Sequence, residues 1–174
     1  MISGEDFEAQ RAEAAALISK AGIPLQPGEP EKIEVVDFGL GHVRVEGLQL
    51  LTMFDTERVA GRILVMTPRQ TEPEHWHPPF GDNPGKEEII RACWGEVRFY
   101  LPGEDTMSRG FLVEGKEHLY TARNEVVLAP GDTLVLEPGS RHWFQAGEEG
   151  AVFYSFSTRV KDGADGFTDP RVAR

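Results

Sequence analysis

Residues 130–142 read Pro-Gly-Asp-Thr-Leu-Val-Leu-Glu-Pro-Gly-Ser-Arg-His. Two Pro-Gly dipeptides, each a turn signal, bracket a short apolar run, and the second leads directly to a histidine. Proline presets one turn dihedral and glycine accepts the other, so a strand between two such pairs is kept short and turned back. The same texture extends in both directions, punctuated by Gly39-Leu40-Gly41 and Pro102-Gly103. Strands are predicted over 32–38, 43–52, 62–67, 72–77, 87–101, 110–119, 124–128, 133–136, 142–146 and 151–158. Many short strands at fairly even spacing behind one leading helix predict an all-β fold, a closed antiparallel barrel or jelly roll.

The helix is predicted over 3–20. Ser3 caps it, Asp6 follows three residues on, and Phe7, Ala14, Leu17 and Ile18 form its apolar stripe before Gly22 and Pro24 stop it. At 174 residues the chain suits one domain. Its expected division is a helix and Pro-rich connector (1–31), a barrel (32–160) and a polar tail (161–174) able to cover one mouth. With 18 basic against 29 acidic residues the formal charge is -11, which argues against nucleic acid or an anionic membrane as partner. A single cysteine, Cys93, excludes an intramolecular disulfide framework and fits a reducing compartment. The N-terminus has no secretory pattern, and no apolar run approaches the length of a membrane span, so a soluble, cytoplasmic protein is expected. Edge-prone strands ahead of the histidines make a homodimer the expected assembly.

The chemistry centres on His75, His77, Glu88 and His142. On a strand, residues i and i+2 share a face, so His75 and His77 offer two imidazoles to one point. Taken singly, each of the four has a commoner structural role, as a solvated loop histidine, an exposed strand carboxylate or a turn histidine held by backbone. Together their spacings, with six residues between Glu88 and Gly95 and six between Gly131 and Pro138-Gly139-Ser140-Arg141-His142, resemble the two motifs of the cupin superfamily. That resemblance implies a cupin jelly-roll barrel and a metal held by His75, His77 and Glu88 from the first motif and His142 from the second. Three imidazoles and a carboxylate leave about two positions open on an octahedral first-row ion, a donor set suited to Mn, Fe, Co or Zn.

The stretches Pro73-Glu74-His75-Trp76-His77-Pro78-Pro79, Gly85-Lys86-Glu87-Glu88 and His142-Trp143-Phe144-Gln145-Ala146-Gly147-Glu148-Glu149-Gly150 resemble the D-lyxose isomerase family of cupin sugar isomerases, as does Phe167-Thr168-Asp169-Pro170-Arg171. The resemblance spans about residues 60 to 171. It implies a divalent metal, manganese most often, and aldose–ketose conversion of free sugars such as D-lyxose to D-xylulose or D-mannose to D-fructose. Such a reaction moves one proton between C2 and C1 and another between the two oxygens. A metal with open positions can chelate both oxygens and stabilise the enediolate, while a base reaches C2. Other cupins put the same donor set to dioxygenase or decarboxylase chemistry, and a sugar-binding cupin without turnover is a third class.

Lys86 shares parity with Glu88, so the two are the candidate catalytic pair, and Lys86 is also a candidate sugar contact. By the family's pattern Arg62 lines the pocket. Trp94 shares parity with Glu88, and Phe144 with His142, making both candidate pocket walls. Trp76 and Cys93 have the opposite parity and are assigned to packing, and His42 and His118 lack partners at ligand spacing. One departure stands out: family members tend to carry an acid near the position of Ser155, and the segment from Ala151 to Ser157 has none. Glu74, Glu137, Glu148 and Asp169 are the alternative bases, and altered specificity or lost activity is the other outcome.

Overall fold

A computed structural model describes residues 2–159 and 165–173. Helix α1 spans Gly4–Lys20, and the Ser3 hydroxyl accepts from the Asp6 amide at 3.1 Å, the expected N-cap. Gln10, Ala14 and Ile18 recur every four residues and are buried, so one stripe faces inward. The stripe packs on Leu51, Ile63, Val65 and Val152. Complete burial of Ile18 contributes about 2 kcal/mol.

Nine strands follow among the described residues: β1 (Glu34–Val36), β2 (Leu48–Asp55), β3 (Val59–Met66), β4 (Thr71–Trp76), β5 (Glu88–Leu101), β6 (Asn124–Leu128), β7 (Thr133–Leu136), β8 (His142–Thr158) and β9 (Gly166–Phe167). All ladders between them are antiparallel. Two long strands, β5 and β8, pair along most of their length, from Glu88 opposite Ser157 to Tyr100 opposite Trp143. Each serves two sheets. The first part of β5 also pairs β7 while its last part pairs β6. The last part of β8 also pairs β3 while its first part pairs β4. The sheet thus folds over itself into the jelly roll expected from the turn pattern. Between its walls lies a core in which Phe144 packs on Phe99 and Phe153 at ring separations of 4.7 and 5.5 Å.

Four predicted strands differ. Residues 142–146 and 151–158 are one strand, β8, because Gly150 (φ +91°) lets the chain bend without reversing. Residues 43–46 form a turn closed by Val45 and Glu46 amides on the His42 carbonyl, so β2 starts at Leu48. The segment 110–119 is irregular, ending in a 3-10 turn over Glu117–Leu119. Side chains replace a ladder there: Gln145 bonds both the amide and the carbonyl of Phe111, and the Glu125 carboxylate accepts from the amides of Ser108, Arg109 and Gly110. Among the described residues no helix is long and apolar enough to cross a membrane.

The bend that lets β5 serve both sheets has two register shifts, between Ala92 and Trp94 and between Gly95 and Val97. Gly95 sits at φ +71°, and a Cβ there would lie 2.1 Å from the Gly150 carbonyl oxygen. Gly95→Ala is therefore expected to cost at least about 1–3 kcal/mol, lowering Tm by roughly 2–12 °C in a thermal melt. An unchanged Tm would show that the bend does not need glycine.

Candidate metal centre

His75 lies near the end of β4 and pairs in register with His142, the first residue of β8, while His77 follows just after β4. The three side chains are buried, and one ring nitrogen of each lies within 4.8 Å of the others. Their orientation is fixed from behind. The Nδ1 of His75 faces the Pro73 carbonyl at 3.0 Å, that of His142 the Ser140 carbonyl at 2.9 Å, and that of His77 the Asp165 carboxylate at 2.7 Å. All three partners can only accept, so each Nδ1 donates. In a neutral imidazole the proton on Nδ1 leaves the Nε2 lone pair free to bind. The Nε2 of His142 is buried with no hydrogen-bond partner. Such a group costs about 1–3 kcal/mol unless something satisfies it, and a cation at the convergence point would do so. The trio therefore fits a metal ion.

Glu88 opens β5 beside the trio. One of its carboxylate oxygens is 3.2 Å from the His77 Nε2 and 3.6 Å from the Lys86 ammonium, and the other accepts from the Ser155 hydroxyl. Burial opposes its ionisation, but the Lys86 charge and the His77 hydrogen bond outweigh this and hold the carboxyl well below the usual range. Burial, reinforced by the neighbouring imidazoles, pushes His75 well down and His142 to about 4. Both imidazoles are thus neutral at pH 7. For His77 burial also acts downward, but the carboxylates of Asp165 and Glu88 reverse the sign and raise its pKa.

In front of these groups is a pocket with about 380 Å³ of atom-free space, its mouth included. Leu48, Leu50, Leu64 and Phe144 supply apolar wall, while Arg62, Glu72, Lys86, Glu88, Ser155 and Asp165 supply polar atoms beside His75. Arg62, Lys86 and Phe144 all line this pocket. Trp94 does not. It packs with the α1 cluster, and the Lys20 ammonium lies 4.5 Å from its ring centroid. The register shift after Ala92 breaks the inward parity that runs through Glu88, Ile90 and Ala92, turning Trp94 to the outer face.

None of the four alternative bases lines the pocket. Glu74 is buried, but its carboxylate accepts from Thr121, Ala122 and Thr168. Asp169 pairs with Lys116 and Arg171, Glu148 pairs with Arg69 on the surface, and Glu137 is exposed in the turn after β7. The pocket acids besides Glu88 are Glu72 and Asp165, both missed by parity arguments. Glu72, three residues from His75, should face outward on a regular strand. A register shift between the two turns it in, placing its carboxylate 3.7 Å from the His75 Nε2. Pro73 was the available signal, since proline within a paired strand marks a bulge or an edge. Asp165 lies in the expected tail, where no local spacing indicated a partner for His77.

The family model for D-lyxose isomerase matches residues 33–174. The chain belongs to the D-lyxose isomerase family. It is 46% identical over 174 residues to a D-lyxose ketol-isomerase of Cohnella laeviribosi, covering 99% of this chain and 96% of that one. It is also 46% identical over 158 residues to a D-lyxose/D-mannose isomerase of Thermosediminibacter oceani, covering 90% and 87% respectively. Membership in this family makes the chain a sugar isomerase. Among solved structures, an L-ribose isomerase of Cellulomonas parahominis superposes with a TM-score of 0.78 at 17% identity, covering 98% of this chain and 94% of that one. That likeness concerns the fold, and it agrees with the cupin-type jelly roll read from the motifs.

His142→Ala and His77→Ala are each expected to lower divalent-metal affinity by more than the roughly 10- to 100-fold that loss of an outer hydrogen-bond partner costs. Isothermal titration of metal-free protein checks this, with Cys93→Ser as an unaffected control. Unchanged affinity in either histidine variant would contradict the assignment.

Proposed function

We propose that this chain is a divalent-metal-dependent ketol-isomerase that converts D-lyxose to D-xylulose and accepts D-mannose as a second aldose. The observation that carries the proposal is the clustering of one ring nitrogen from each of His75, His77 and His142 within 4.8 Å of the others, beside a pocket lined by His75, Glu72, Lys86, Glu88 and Arg62. The names of the Cohnella and Thermosediminibacter relatives supply the sugars. His75, His77, His142 and Glu88 would hold the ion, with manganese the first to test and Zn, Co or Fe as alternatives. When bound, it supplies Lewis acidity to the sugar oxygens on which negative charge develops.

The side chains account for the two proton movements. The Glu72 carboxylate takes the proton from C2 and returns it to C1, which needs a base confined to a buried wall so that the proton is not lost to bulk water. The Lys86 ammonium, held beside Glu88, hydrogen-bonds the sugar oxygens and passes the proton from O2 to O1. Arg62 orients the sugar hydroxyls, and Phe144 offers its face to the C–H side of the chain. Ser155 takes a supporting role: its hydroxyl donates to Glu88, so the residue at the departing position helps to fix a ligand. Exposed Phe54, Ile89 and Phe156 line one surface hollow and would supply apolar contact in a homodimer.

Incubating manganese-loaded protein with D-lyxose or D-mannose without oxygen is expected to yield D-xylulose or D-fructose. Binding without product would identify a sugar-binding cupin, and turnover only with oxygen a dioxygenase. Glu72→Gln is expected to lower kcat roughly 10²–10⁴-fold while metal loading persists. Lost loading would make Glu72 a ligand, and an unchanged kcat would dismiss it as the base.

A further inference from the structure

The three candidate histidine ligands differ in where their outer hydrogen bonds originate. His75 and His142 each donate to a carbonyl two residues earlier, Pro73 and Ser140, so local chain geometry fixes both rings. His77 donates to Asp165, 88 residues away in sequence. Its ring is therefore set by tertiary structure, and specifically by the C-terminal segment.

That segment is built into the wall of the site. Gly166–Phe167 forms β9 and pairs with β4, Phe167 opposite His75 and Gly166 opposite Trp76. The Phe167 ring stacks on the His75 ring at 5.6 Å. The Thr168 hydroxyl donates to Glu74 at 2.7 Å and accepts from Arg141 at 2.6 Å. Asp169, buried, meets the Lys116 ammonium at 3.1 Å, and the Ala173 amide donates to the Phe38 carbonyl at 2.9 Å. Asp165 thus heads a strap tied down along its length by strand pairing, ring stacking and ion pairs.

We propose that this strap completes the metal centre, with Asp165 acting as a positioning residue that holds His77 protonated on Nδ1 and turned so that its Nε2 faces the ion. The inference rests on the metal-dependent function proposed above, and it assigns retention of the ion to a segment outside the motif strands. A carboxylate behind a ligating imidazole does two things. Its hydrogen bond selects the tautomer, and its charge makes the bonding nitrogen a stronger donor. A neutral acceptor keeps the first effect and loses the second; a methyl group loses both. Graded loss is the consequence.

The test is a metal titration of metal-free wild type, Asp165→Asn and Asp165→Ala with Mn²⁺, with thermal melts of each metal-free protein. The expected result is weaker binding in both variants, within the roughly 10- to 100-fold seen for outer partners and larger for Ala than for Asn, at unchanged metal-free Tm. In wild type loaded with diamagnetic Zn²⁺, ¹⁵N spectra of the imidazoles should show His77 protonated at Nδ1 and metal-bound through Nε2, with the Nδ1 proton signal lost in Asp165→Ala. Excess Mn²⁺ should restore kcat in Asp165→Asn, which a folding defect would not allow. Wild-type-like affinity in both variants, or a loss that excess metal does not reverse, overturns the proposal. If the wild type itself binds no metal, the metal-dependent function fails instead. Should Asp165→Ala not fold, the near-isosteric Asn variant carries the test alone.

Discussion

The structure depends on one constraint, the hydrogen bond at the back of each buried imidazole. A neutral histidine can present a lone pair from either ring nitrogen, and a buried one without a fixed tautomer points its donor or its lone pair wherever the surroundings allow. Here every Nδ1 meets an oxygen that can only accept, which leaves the Nε2 of His75, His77 and His142 on the inner side, where one ring nitrogen of each lies within 4.8 Å of the others. The unpartnered Nε2 of His142 follows from this arrangement. Burial then keeps His75 and His142 neutral, and a pair of carboxylates gives His77 a different electrostatic setting.

The barrel exists in a form that can deliver these groups because β5 and β8 are long, paired and bent. Glu88 begins one and His142 begins the other, and the bend brings both starts into the space between the sheets. The bulges that permit the bend also break parity. The shift after Ala92 sends Trp94 out to α1, and the comparable shift in β4 brings Glu72 in. Irregularities in the ladder therefore decide which side chains face the pocket.

Much of this was legible in the sequence. The Pro-Gly turns announced Thr133–Leu136 at its observed bounds, Ser3 announced α1, and the spacing of the histidines announced the trio and its cupin setting. The family resemblance pointed to Arg62, and the two-residue spacings from Glu88 and His142 pointed to Lys86 and Phe144; all three line the pocket. Legibility failed where alternation failed. Trp94 was assigned inward by counting twos across a bulge, and Glu72 was passed over for the same reason. Asp165 escaped for another reason, since a hydrogen bond across 88 residues leaves no local periodicity. The irregular segment 110–119 looked like a strand because it opens on the apolar run Phe111-Leu112-Val113, whereas the backbone groups of Phe111 are satisfied by Gln145 and the neighbouring turn by Glu125.

The central claim is geometric, so a geometric measurement tests it most directly. Crystals of the manganese-soaked protein, with the ion located by anomalous scattering, should show a single site with the Nε2 atoms of His75, His77 and His142 and a Glu88 oxygen at about 2 Å, each Nδ1 keeping its present acceptor. An ion bound through Nδ1, or one seated away from the three histidines, would contradict the account.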